Sequence, residues 1–149
     1  MKMIKNEALS AERKELMVNA LMILKIIEGI NTLDGYAAEN RGHLLLENSD
    51  IAADNWRDKA VDEFKKALLF HPQQFRARTA LAKLLEEEGS RDEAVRLMND
   101  GVNYFYRRGI SGLDEFYEYA IKLNLMSGDT TKARELQRKI VSLKEWRSI

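Results

Sequence analysis

The chain has 149 residues, 45% of them apolar, which suffices for a single domain with a core of its own. Twenty-four Lys and Arg offset twenty-four Asp and Glu, so no net field of either sign draws the chain onto nucleic acid or an acidic membrane. The absence of cysteine excludes disulfides, thiol nucleophiles and cysteine metal sites, and it fits a reducing compartment, with the cytoplasm as the default.

The first predicted element surrounds LMVNALMILKII, residues 16 to 27. A membrane span needs about 20 mainly apolar residues, and this run is interrupted by Asn19 and Lys25 and ends at Glu28-Gly29. Glu7, Glu12 and Glu15 stand where a secretory signal would carry basic residues. The segment reads as a soluble helix. Its apolar residues cover almost the whole circumference, so it is expected to be buried on more than one side, inside the chain or at a subunit contact. A second helix is expected around Gly35 to Leu46.

Residues 59 to 70, KAVDEFKKALLF, place Ala60, Val61, Phe64, Ala67, Leu68 and Phe70 near one stripe, opposite Asp62, Glu63, Lys65 and Lys66. Pro72 has no amide hydrogen and disfavours helix in the residue before it, so this helix should end at or before His71. His71 is expected to cap it, where the negative helix end favours a cation. In the next helix Ala77, Ala80, Leu81, Leu84 and Leu85 recur at helical spacing, and Gly89 supplies the positive-φ stop. Ser90 and Glu93 then have the spacing of a capping box. With one proline, eight glycines and no period-two run of β-branched residues, the class is all-α.

The segment 55 to 67 repeats at 89 to 101 with an offset of 34 residues: Asn55 aligns with Gly89, Arg57-Asp58 with Arg91-Asp92, Ala60-Val61 with Ala94-Val95, Phe64 with Met98, and Ala67 with Gly101. A third copy, 128 to 140, places Gly128 five residues before Ala133; its offset is 39, and the extra residues fall in YRRGISG, 106 to 112. Asn or Gly at the first position suits a positive-φ chain reversal. The small residue five later lets antiparallel helices approach, and hairpins that cannot bury both faces must stack. The helix NDGVNYFYRR is expected to run on toward Gly109.

These features, with Leu81-Ala82, Leu85, Gly89, Ala94 and the Ala60, Phe64, Ala67, Pro72 pattern, resemble the tetratricopeptide repeat (TPR) over about residues 42 to 143. The resemblance implies a right-handed stack of about three antiparallel helix-turn-helix hairpins. Residues 1–41 would form a capping or dimerisation region, and 144–149 a tail, of one domain. Glu47 and Asn48 in the first unit, and Asn124 where the middle unit has Leu85, depart from the pattern and should weaken the outer units. The resemblance also implies protein or peptide binding rather than catalysis, in an adaptor or chaperone. Its usual site, the concave face of the first helices, corresponds to Leu45 and Ser49, then Arg76, Thr79, Ala80 and Lys83, then Glu118, Tyr119 and Lys122. A family variant clamps acidic C-terminal tails with Lys and Asn, but Leu45 and Ser49 occupy its key first-unit positions, so that clamp is absent.

Two other readings stand beside this one: a structural homo-oligomer, such as a homodimer, joined through the apolar N-terminal helix, and a secretion-type chaperone. No residue set calls for a cofactor, metal or catalytic site. His43 and Glu47 share a helix face, but two ligands do not make a metal centre, and the pair is expected on a solvated face. Glu86-Glu87-Glu88 reads as a solvated helix end. RRGISG lacks the strand and spacing of a phosphate loop. Six basic residues against two acidic ones in 132 to 149 complement the end of the last helix. Tyr104, Phe105, Tyr106, Phe116, Tyr117 and Tyr119 are expected to pack the longer connection.

Overall fold

A computed structural model describes residues 2–31, 35–104 and 112–147. Over these the chain forms seven helices: α1 (Lys2–Ile30), α2 (Gly35–Glu47), α3 (Trp56–Phe70), α4 (Phe75–Glu87), α5 (Arg91–Gly101), α6 (Leu113–Met126) and α7 (Thr130–Arg147). No strand occurs among the described residues. Phe105, Tyr106 and most of the longer connection lie outside them, as do the side chains of Lys144, Trp146 and Arg147. The helices fall into two compact units, Met1–His71 and Pro72–Ile149.

In the first unit α2 packs along both α3 and α1. Ala60, Phe64 and Ala67 of α3 are fully buried, as their stripe requires. Phe64 lies against Gly42 and meets His43 edge-on, the ring centroids 5.1 Å apart. The helix ends where Pro72 demands: His71 donates its amide to the Ala67 carbonyl at 2.9 Å, and its ring packs on Tyr36.

Arg41 ties the three helices together. Its buried guanidinium grips Glu63 of α3 through two nitrogens (2.9 and 2.7 Å), Glu28 of α1 at 2.7 Å, and the Leu24 carbonyl at 3.2 Å. A buried cation is tolerated because each face of the fork has a partner. Glu28 also pairs with Lys66. At the far end of α2, Arg13 donates to the Asn48 side chain at 3.0 Å, the Glu47 carbonyl at 3.3 Å and both oxygens of Asp50. Asn48 in turn donates to the Leu44 carbonyl at 2.8 Å. The departures at Glu47 and Asn48 are therefore where α1 is fastened.

One expectation is narrowed and two are corrected here. Within the chain α1 is buried on one side only, with Met17 buried and Leu16, Ile23, Ile26 and Ile30 exposed, which removes the reading of an internal helix and leaves that of a subunit contact. Asn55 does not reverse the chain with positive φ; it sits at φ −92° after an irregular connection, 48–55, that makes the turn gradually. His43 is half-buried against the Phe64 ring, with its Nε2 3.7 Å from a Glu39 oxygen, rather than on a solvated face with Glu47.

In the second unit the hairpins α4–α5 and α6–α7 stack, with α6 against both α4 and α5. Both turns close in the same way. Gly89 (φ +86°) donates to Glu86 and Ser90 to Leu85, while Gly128 (φ +82°) donates to Leu125 and Asp129 to Asn124. This is the Schellman arrangement, which only glycine enters without strain. Ala94, Met98, Ala133 and Leu136 follow as buried residues, and Phe75 packs on Phe116 at 4.8 Å. Phe116 and Tyr117 are core residues.

Two helix ends differ from expectation. Ser90 is the N-cap of α5 without a side-chain capping bond, because its own carbonyl takes the amides of Glu93 and Ala94, both at 3.1 Å. The helix α5 ends at Gly101 rather than running on, and Gly101 lies against Arg78 and Phe116 where no side chain fits. Arg78 is itself buried, donating to the carbonyls of Leu97 (2.8 Å) and Pro72 (2.7 Å) with its guanidinium over the Tyr104 ring, and burial lowers its pKa. Asn124 is no weak point either. It exchanges two hydrogen bonds with Asn99 (3.1 and 2.9 Å) and donates to Ala120, so its buried amide is satisfied.

Candidate interaction face

The first helices of the second unit, α4 and α6, lie side by side. Between them Tyr119 is buried except for its rim, and its hydroxyl donates to Glu86 at 2.6 Å. Burial, then the bond to Glu86, raises the tyrosine pKa well above its ordinary value. Two lysines converge on the same ring: the ammonium of Lys83 stands 5.5 Å from its centroid and that of Lys122 5.6 Å. Both distances allow a cation–π attraction. Lys83 also reaches Glu115 at 2.6 Å.

The repeat explains this convergence. Lys122 stands 39 residues after Lys83, and Tyr119 stands 39 after Ala80, which is the offset between the second and third copies. Equivalent positions on adjacent packed helices fall near one another, so a lysine is presented twice beside the tyrosine that stands at the position equivalent to Ala80.

The remaining predicted residues divide by exposure. Arg76 and Glu118 are exposed, with the stem of Arg76 against Gly112. Thr79 and Ala80 are buried, and the Thr79 hydroxyl donates to the Phe75 carbonyl at 2.8 Å, which turns it away from the surface. Leu45 and Ser49 belong to the first unit. Leu45 is buried along a cleft of about 670 Å³ whose walls include Met17 and Leu21 of α1 and Trp56 of α3, and Ser49 sits half-exposed in the turn after α2.

Sequence reasoning missed Glu86 and Glu115. Glu86 is no merely solvated helix end, since it accepts the Tyr119 hydroxyl and faces Arg91 at 3.8 Å. Its partner lies 33 residues away, six short of the 39-residue offset between these two copies, so the repeat alone did not point to it. Among the described residues no three His, Asp or Glu side chains gather as a metal site, and no helix is long and apolar enough to cross a membrane.

No family model matches the sequence, and neither does a curated protein sequence. Solved structures do resemble the fold. A crystal structure of MamA superposes with a TM-score of 0.62 at 16% identity, covering 89% of this chain and 71% of that one. A MamA RS-1 ArsTM double mutant gives 0.59 at 14%, covering 88% and 67%, and a further crystal structure of MamA gives 0.59 at 16%, covering 89% and 67%. The fold is a TPR-like helical solenoid. At such identities the likeness shows fold alone.

Proposed function

We propose that the chain is a non-enzymatic protein-interaction module of the cytoplasm, an adaptor or chaperone. Its α4–α6 face would take a peptide or helical segment of a partner protein. The observation that carries this reading is the pair of lysines held over the Tyr119 rim. An apolar ring edge flanked by cations suits a segment that offers an apolar anchor beside acidic groups. Arg76, exposed at the start of α4, extends the basic character along the same helix. Glu115 and Glu118 on α6 interrupt it, which disfavours uniformly acidic ligands such as nucleic acid.

The test is an affinity capture with mass spectrometry, run in parallel on the natural chain and on a variant with Arg76, Lys83 and Lys122 changed to Glu. A partner captured by the natural chain and lost by the folded variant supports the face. A partner retained equally by both excludes it. Chaperone-type acidic C-terminal peptides should show no binding in isothermal titration, because the clamp residues are absent at Leu45 and Ser49.

A further inference from the structure

Along α1 a leucine or isoleucine recurs at every seventh position: Leu9, Leu16, Ile23 and Ile30. All four are exposed, at 61%, 64%, 56% and 82%. Ile26, at 59%, and Ile27, at 41%, lie beside them. Residues seven apart on a helix drift by only about 20°, so these side chains form one continuous stripe. The face of α1 that serves the fold is a different one, carrying Met17, Leu21 and Leu24, with Glu28 on Arg41.

We propose that this stripe is a homodimer seam, in which α1 of one copy packs against α1 of a second. The spacing is that of the a positions of a coiled coil, with Glu12, Asn19 and Ile26 at the d positions. The area fits as well. The exposed parts of these six side chains amount to roughly 700 Å² per copy, near the ~800 Å² per partner of a stable interface and above the patch an ordinary monomer leaves in water.

Asn19 says what the partner is. It occupies the d position between Leu16 and Ile23 and is exposed. A two-fold interface brings a patch against its own copy, and a carboxamide is self-complementary, able to donate to and accept from another. Asn99 and Asn124 already make such a reciprocal pair in this molecule. Within the apolar length from Leu16 to Ile30 it is the one polar seam position, and a single polar seam residue sets register at some cost in stability. A lipid surface would leave the amide unpaired, and Glu12 within the stripe with Glu15 beside it places acid where a membrane-lying helix is apolar or basic.

Sedimentation of the full chain at tens of micromolar tests the seam. The natural chain should sediment as a dimer. Changing Ile23 and Ile26 together to Glu should weaken association at least 100-fold, giving a monomer of unchanged helicity by circular dichroism. The milder pair Ile23→Ser with Ile26→Ser keeps the test valid if the glutamates unfold α1. Val141→Glu, an exposed change on α7, and the Arg76, Lys83 and Lys122 charge reversal should both leave the dimer intact, separating this seam from the α4–α6 face. A natural chain that is monomeric overturns the proposal, whether or not it then floats with vesicles of phosphatidylcholine and phosphatidylglycerol. A seam variant that stays dimeric overturns it equally.

Discussion

The hairpin α2–α3 and the hairpins α4–α5 and α6–α7 come from the same repeated pattern but are closed by different means. In the second unit a glycine with positive φ lets the backbone satisfy its own last carbonyls within two residues. In the first unit Asn55 stands in the glycine's place at φ −92°, the turn takes the eight residues 48–55, and the end of α2 is held from outside by Arg13 of α1. A local backbone device has been replaced by a tertiary one. The first hairpin therefore depends on α1 in a way that the others depend on no further helix.

The largest effect should come where the hairpins are alike. Phe64 and Met98 occupy equivalent, fully buried positions, so Phe64→Ala should cost about 3–5 kcal/mol and Met98→Ala about 2–5 kcal/mol by denaturant titration. A loss below 1 kcal/mol at either would mean that the hairpins do not share a packing scheme. Next comes the turn itself. Gly128→Ala should destabilise by about 1–2 kcal/mol, because alanine is strained at positive φ. Asn55→Gly should change stability by only a few tenths of a kcal/mol; a gain near 1 kcal/mol would place Asn55 in the left-handed region and erase the distinction.

A smaller loss, about 1 kcal/mol, is expected for Arg13→Ala, since its partners are largely solvent-exposed and only part of the network is retained against water. Hydrogen exchange should show the loosening at residues 44–52 and leave α6–α7 unchanged. The smallest effect is a pH dependence confined to the second unit. Because the folded state raises the pKa of Tyr119, the neutral phenol is favoured on folding. That contribution is complete below the ordinary tyrosine value of about 10 and is lost as pH rises above it. Tyr119→Phe should flatten the fall in stability between pH 9 and 11, and an unchanged slope would detach the hydroxyl from Glu86.

Much of this architecture was legible because helices and their stops are local. The stripe from Ala60 to Phe70, the halt at Pro72 and the reversals at Gly89 and Gly128 depend on residues within one or two turns of one another. Ser90 and Asn55 were misread because each residue type permits, without requiring, the side-chain cap or positive φ expected of it, and Asn124 because its partner stands on another helix. Asn124 reads as a defect in its own helix until Asn99 is brought to it. The interaction face was half legible: the positions of Lys83, Tyr119 and Lys122 follow the repeat, whereas the inward turn of Thr79 and the roles of Glu86 and Glu115 depend on the spacing of α4 and α6.

By itself the sequence determined an all-helical chain of repeated hairpins, since periodicity, proline and glycine act through backbone geometry that each segment carries alone. Tertiary structure decided which side of α1 is used. Apolar residues ring that helix, so its pattern names no inner face. Only the placement of Arg41 and Arg13 around α2 sets Met17 inward and leaves the stripe from Leu9 to Ile30 in water.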